Sequence, residues 1–270
     1  MRFRQEVRFE HTWMPGDGPE ELGIHDFHLH GTFAIPFLYN TETPLLVTPG
    51  FGLHLWNGPS SPTADMPPRT FDAYLDAAWN PQLSALLGGE LGFTVGVHSD
   101  FSRVVNESIR YRGRGLLTLA FSPSFTVKAG VIYLDRVRVK ILPAGGLIWV
   151  PAGNPDVRFE VLFPNPRLAI RLTTDSRNTE WWLYARGEYG GGSWTVRRAI
   201  DLDGDGVAND IDEVDYNDLR FAVGLEFDSY TGLDGLAEIG LAFERELFYR
   251  SSTPTFRPNP TVFLGGQLAF

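Results

Sequence analysis

One pattern governs what this chain can become: apolar side chains recur at every second position over segments of about ten residues. In DLRFAVGLEF, Leu219, Phe221, Val223, Leu225 and Phe227 alternate with Asp218, Arg220, Ala222, Gly224 and Glu226. In LAEIGLAFERELFY, Ile239, Leu241, Phe243 and Leu247 oppose Glu238, Gly240, Ala242, Glu244 and Glu246. The last residues, PTVFLGGQLAF, set Val262, Leu264, Leu268 and Phe270 against Thr261, Gly265, Gln267 and Ala269. Along IRYRGRGLLTLAF, Arg110, Arg112 and Arg114 lie opposite Tyr111, Leu117, Leu119 and Phe121. A period of two marks strands with two unlike faces. Such strands build either a solvent-backed antiparallel sheet or a barrel in a membrane.

Two features favour the membrane. The polar face mixes Gly, Ala and Thr with charges of both signs, as a polar lumen does. The segments are also long enough for tilted strands to cross a bilayer, which takes roughly 9–11 residues; soluble strands cluster near about 5–6. Trp56, Trp79, Trp149, Trp181, Trp194, Tyr249 and Phe270 stand at segment ends, where an interfacial aromatic girdle belongs. The spacing predicts strands near 3–13, 24–36, 44–56, 70–79, 87–98, 108–121, 125–138, 157–163, 167–174, 180–189, 193–200, 216–227, 236–249 and 260–270.

GLIWVP at 146–151 would make the number odd and is set aside, since single-chain bacterial barrels have even numbers. The short links SPS (122–124), PNP (164–166) and GGG (190–192) then fall at one end, and long loops near 57–69, 99–107, 139–156 and 201–215 at the other. The expected fold is therefore all-β: one domain over residues 1–270, a closed antiparallel up-and-down transmembrane β-barrel of about fourteen strands, with twelve as the alternative.

Composition narrows the partners. A net charge of −10 disfavours nucleic acid. No cysteine is present, which removes disulfides and thiolate chemistry. No apolar run reaches the length of a transmembrane helix. The first residues, MRFRQEVRFEHTW, alternate and carry no signal-peptide core, so the chain is expected either to stay inside the cell or to begin at its mature N-terminus. Phe270, on the apolar face of the last strand, resembles the terminal aromatic by which barrel-assembly machinery recognises outer-membrane barrels.

Larger stretches carry a further resemblance: YLDRVRVKILPAGGLIWVP (133–151), VLFPNPRLAIRL (161–172), WWLYARGEYGGGSW (181–194), VDYNDLRFAVGLEF (214–227), EIGLAFERELFY (238–249) and HSDF (98–101). In these the chain resembles an uncharacterised bacterial family of outer-membrane β-barrels, over most of its length and more loosely before residue 90. The resemblance implies a barrel, a lipid bilayer as partner and an outer-membrane address. It implies no activity and no functional residue.

One stretch has the spacing of a calcium loop. In DLDGDGVANDID, Asp201, Asp203, Asp205, the Val207 carbonyl, Asn209 and Asp212 take positions one, three, five, seven, nine and twelve, with Gly206 at the sharp turn. Alternate oxygen ligands wrap one Ca²⁺ ion. The usual twelfth residue is Glu; Asp212 is shorter. The flanks read as strands, so any bound Ca²⁺ is structural, and a solvated acidic loop is the competing reading. His28, His30 and His54 share the polar face of neighbouring strands, where they form either a transition-metal site or, more commonly, a hydrogen-bonded network.

Lumen charges are balanced: Arg110, Arg112, Arg114, Lys128, Arg136, Arg171, Arg186 and Arg220 against Asp72, Asp76, Glu90, Glu188, Glu226, Glu238, Glu244 and Glu246. Pairing across the barrel is expected to plug the lumen, and LPAGGLIWVP to fold inward as a plug or gate. No nucleophile elbow, HExxH or phosphate loop is present. The reading is a channel or transporter for small or apolar molecules without enzymatic activity. The alternatives are a secreted ligand-binding sandwich or barrel with a structural Ca²⁺ loop, an adhesive or structural surface barrel, and an outer-membrane hydrolase.

Overall fold

The structure, a computed structural model, describes residues 4–16, 18, 21–38, 40–61, 64–175, 179–202, 204–230, 232–251 and 254–270. Its strands are β1 (Arg4–Met14), β2 (Gly23–Phe37), β3 (Asn40–Asn57), the two-residue pair β4 (Ser60–Ser61) and β5 (Ala64–Asp65), β6 (Arg69–Trp79), β7 (Leu87–Ser99), β8 (Ile109–Ser122) and β9 (Phe125–Tyr133). They continue with β10 (Ile141–Trp149), β11 (Val157–Phe163), β12 (Arg167–Thr174), β13 (Thr179–Arg197), β14 (Ile211–Ser229), β15 (Asp234–Tyr249) and β16 (Thr261–Ala269). All but β4 and β5 close into one antiparallel barrel, each strand beside its chain neighbour and β1 sealing against β16.

The barrel has the fourteen strands expected, but through two offsetting corrections. GLIWVP is no plug: it lies in β10, paired with β9 and β11 on its two edges. Its glycines keep the backbone close to its neighbour, since a Cβ on Gly146 would sit 1.9 Å from the Val161 carbonyl oxygen. Conversely, GGG is no turn. Segments 180–189 and 193–200 are the single strand β13, paired with β14 from Thr179 to Arg197. Gly191, at φ +94°, runs so near β14 that a Cβ would lie 1.9 Å from the Tyr216 carbonyl oxygen.

These changes redraw the ends. Loops 58–68, 100–108 and 198–210 share one end, with 15–22 and 250–260. PNP (164–166) is at that end too, opposite the SPS turn. The expected loop 139–156 divides into the turns 134–140 and 150–156, at opposite ends of β10.

The outer face is a belt of exposed apolar residues, among them Phe9, Leu29, Phe51, Leu75, Phe93, Leu117, Ile170, Leu183, Leu225 and Leu264. No water-soluble surface carries so continuous an apolar band; it is the lipid-facing wall of a barrel that spans a bilayer. Leu183, Ile170 and Leu225 lie side by side halfway up the β12 wall. Leu183→Arg is therefore expected to lower folding stability in bilayers by about 2–4 kcal/mol, the depth-dependent cost of a lipid-facing charge. Denaturant titration into vesicles measures it.

The tryptophans of the aromatic girdle stand at the short-loop end, where Trp79, Trp149, Trp181 and Phe270 lie with Phe37 and Phe227 against Trp79 and Trp181; exposed Phe101, Tyr111, Tyr133 and Phe163 stand at the long-loop end. Trp56, Trp194 and Tyr249 correct the expectation. They point inward and are buried.

They are buried because the wall has two heights. Strands β9 to β12 have 9, 9, 7 and 8 residues, at or just below the roughly 9–11 that cross a bilayer, whereas β3, β13 and β14 have 18, 19 and 19. β12 stops pairing at Arg167–Arg186, and β13 continues beyond it. Thr195 of that projecting part forms a parallel bridge with Ser99 of β7. Five strands separate β7 from β13 along the wall, so the bridge exists only because the top of the β13–β14 hairpin leans across the mouth.

A bulge shapes the opposite wall. Asn217 pairs with Glu246 and Leu219 with Phe243, leaving Glu244 and Arg245 opposite Asp218. Glu244 sits at φ +48°, and the side-chain alternation of β15 inverts there. Leu247, assigned from the sequence to the lipid face, thus turns inward with Arg245 and Tyr249. Met14, Leu22, Ile24, Trp56, Trp194, Val196, Val214, Tyr216, Leu247, Tyr249 and Phe263 pack into one core that fills the long-loop mouth.

Candidate functional site: a sealed mouth above a polar cavity

Below that core the lumen is polar. A cavity of about 290 Å³ is lined by His28, His30, Thr48, Asp72, Tyr74, Asp76, Thr94 and Arg112. Its roof is a chain of polar contacts. His54 Nδ1 lies 2.7 Å from Asp26 Oδ1, and its Nε2 3.1 Å from Asp72 Oδ2. Asp72 Oδ1 accepts from His98 Nδ1 at 2.8 Å and from Trp194 Nε1 at 2.7 Å. Arg112 Nη2 approaches His98 Nε2 at 2.6 Å, which fixes His98 as the tautomer that donates through Nδ1. Asp72 thus ties β3, β7 and the crossing strand β13 to β6. It is held by Trp194, His98 and the ion-pair contact of His54, since a buried carboxylate needs partners.

For His54 this is the network reading. His54 has both nitrogens turned to carboxylates, and His28 meets its ring edge at 5.2 Å. Among the described residues, no group of three or more His, Cys, Asp or Glu is arranged to hold a metal ion. Neither nitrogen of His54 or His98 faces the cavity free, so neither is placed to take a proton from a substrate.

Most of the lumen charges pair along the wall, while Arg110 reaches across the barrel from β8 to Glu213 on β14. Arg114 reaches Asp76 and Glu90; Lys128 reaches Glu90; Arg186 reaches Glu188 and Glu238; Arg167 reaches Glu226. Such near-neighbour pairs line the wall without filling the bore, so the apolar core carries most of the closure and the expected cross-barrel pairing only part of it. Glu246 also leaves the lumen set, because beyond the bulge it points away from the core and pairs with Arg138.

The leaning hairpin opens a seam between its outer face and the short wall, and the turn 134–140 closes it. Arg136 donates to the carbonyls of Gly190 (3.0 Å) and Gly191 (2.7 Å) and to Asn217 Oδ1 (2.5 Å). These carbonyls lie on the β13 edge that β12 leaves uncovered. Val137 and Arg138 donate their backbone N–H groups to the Asp215 carboxylate at 3.0 and 2.9 Å. Asp215 is fully buried. On the other side of the hairpin tip, Arg198 pairs with Asp65 at 2.6 Å and Asp212 at 3.1 Å, with its guanidinium 3.9 Å from the Tyr249 ring centre.

That last contact bears on calcium. Asp203 lies outside the described residues. Asp201 accepts from the Gly204 and Gly206 N–H groups, Asp205 from Val207 N–H, and the Val207 carbonyl from Asn209 N–H. Asp212, the twelfth position, is instead buried in β14 against Arg198 and Ser251. Among the described residues these loop oxygens are engaged by the loop's own N–H groups, and the closing carboxylate is turned to Arg198.

Sequence reasoning passed over His98, Asp26, Asp215 and the inward role of Trp194. HSDF was noticed as a motif, but nothing local shows that β13 comes back to meet it. No family model matches the chain, and no curated protein matches its sequence. Among solved structures the chain is similar to the KdgM porin (TM-score 0.41, 9% identity, 98% of this chain and 99% of that one). It is also similar to the NanC porin (0.43, 7%, 98% and 98%) and to LpxR from Salmonella typhimurium (0.32, 11%, 98% and 99%). Likeness at this level leaves the functional reading to the chain's own residues.

Proposed function

We propose that the protein is a gated channel of the bacterial outer membrane that takes small polar solutes into its lumen from the short-loop, periplasmic end. The observation that carries this reading is the polar cavity beneath a mouth closed by two unlike seals. The lining favours a polar solute over an apolar one, because His, Asp, Thr and Arg side chains face the space. With long loops outside and short turns in the periplasm, the closed mouth faces the cell's surroundings.

The two seals differ in what opening costs. Exposing the core strands each large apolar side chain in water at roughly 1.5–3 kcal/mol apiece, with nothing in return. Releasing the 134–140 turn from the hairpin exchanges five hydrogen bonds, with the Arg138–Glu246 pair, for bonds to water, and Arg136 and Asp215 regain hydration. The turn is therefore the gate, and the path runs up the short wall of β8 to β12. Proteoliposome swelling tests this: Arg136→Met should admit small neutral polar solutes faster than wild type, and equal rates would overturn the gate. Such a role involves no covalent chemistry, and the engaged nitrogens of His54 and His98 support a protein that is not an enzyme.

Calcium enters this reading as a clip on loop 198–210. Asp201, Asp205, the Val207 carbonyl and Asn209 hold the ion without Asp212, so affinity falls toward about 10⁻⁴–10⁻³ M, the range of extracellular modules. Calorimetry should show weak binding that Asp201→Ala with Asp205→Ala abolishes; no heat with the wild type removes calcium from the account.

A further inference from the structure

The seam closed by the 134–140 turn contains a second, much smaller cavity. About 20 Å³ in volume, it lies between β8, the turn and β13, and is lined by Arg110, Arg112, Arg136 and Ser193 with Leu134, Asp135 and Gly192. That is room for one small ion or one water molecule.

Its walls hold an excess of donors. Arg110 and Ser193 are each more than nine-tenths buried. Arg110 Nε and Nη2 and the Ser193 hydroxyl have no hydrogen-bond partner in the protein. Buried polar atoms without partners are rare and costly, at about 1–3 kcal/mol each and more for charged groups.

The charge is as unbalanced as the hydrogen bonding. Arg110 Nη1 pairs with Glu213 at 2.9 Å, but Arg250 takes the other oxygen of the same carboxylate. The Asp215 carboxylate is spent on the backbone of the turn, and that of Asp135 on Tyr111 N–H and the Tyr133 hydroxyl. Burial also pulls the Arg136 guanidinium below its ordinary value, and neighbouring Arg112 acts in the same direction. A water molecule in the cavity could accept two of these donors, yet its own protons would face three guanidinium groups and one carboxylate, that of Asp135, already engaged by Tyr111 and Tyr133. An anion accepts from all of the donors and offsets the charge.

We propose that the Arg110–Arg136–Ser193 cavity binds one small inorganic anion of the halide class, chloride in a physiological setting. The anion joins β8, the 134–140 turn and the crossing strand β13 at a single point. It stands as a binding site on the geometry of the seam whether or not the turn opens.

Anomalous diffraction from crystals of the full-length protein grown in bromide tests it. The wild type should show a bromide peak in contact with Arg110 Nε and Ser193 Oγ. Arg110→Lys, which keeps a cation for Glu213 but removes the free donors, should lose it. If that variant does not fold, Ser193→Ala is read instead and should lower bromide occupancy several-fold. A water molecule without anomalous signal in the wild type overturns the site, as does a peak that survives the substitution unchanged. Because the readout is occupancy, a peak alongside unaltered conductance would retain the anion site while refuting the gate.

Discussion

Arg136→Met should raise the open probability of single channels on the order of 10- to 100-fold. Met nearly matches the alkyl length of Arg but donates nothing, so the Gly190 and Gly191 carbonyls and Asn217 lose their common partner. A hydrogen bond from a charged group contributes roughly 1.5–3 kcal/mol, and each 1.4 kcal/mol is a factor of ten in a two-state equilibrium. Loss of even one such bond therefore predicts a clear change. Planar-bilayer recording reads it directly. Longer or more frequent openings at unchanged unit conductance identify a gate; a changed unit conductance with unchanged gating would place Arg136 in the pore lining instead.

Trp194→Ala should produce the largest loss of stability, about 3–5 kcal/mol by the usual cost of removing a buried Trp or Phe from a core. Trp194 packs edge-on to Trp56 at 5.2 Å and donates to Asp72 from seven strands away around the wall. Its removal leaves a cavity where the hairpin meets the opposite wall and deprives Asp72 of its indole donor. The effect should appear as a lower temperature for losing the compact, SDS-resistant form on gels. Trp149→Ala, at the exposed end of β10, serves as the contrast and should shift that temperature far less.

Much of the wall was legible from the sequence because a period of two is a local property: each strand reports its own two faces. Register changes were not. The single extra residue at Glu244 inverts every side chain after it, moving Leu247 and Tyr249 from lipid to core, and no residue type in ERELFY announces it. Glycine misled twice, since in β10 and at Gly191 it permits close approach of neighbouring strands rather than a turn. The mouth was illegible for a different reason. Its core depends on how far β13 outgrows β12, and so on contacts such as Thr195 with Ser99 that join distant parts of the chain. The calcium-like spacing was read correctly as a loop between strands, but the spacing does not reveal that Arg198 occupies the closing carboxylate.

The central claim, that the turn 134–140 is a gate on an otherwise sealed mouth, has a direct test. The chain has no cysteine, so a single engineered pair is unambiguous. Val137 N–H donates to the Asp215 carboxylate at 3.0 Å, which makes these two contacting residues the pair to bridge. In the Val137→Cys, Asp215→Cys protein, with the bond verified by mass spectrometry, planar-bilayer recordings should be silent when oxidised. They should show frequent openings once a reductant frees a turn that has also lost the Asp215 carboxylate. Equal conductance in the two states would contradict the account.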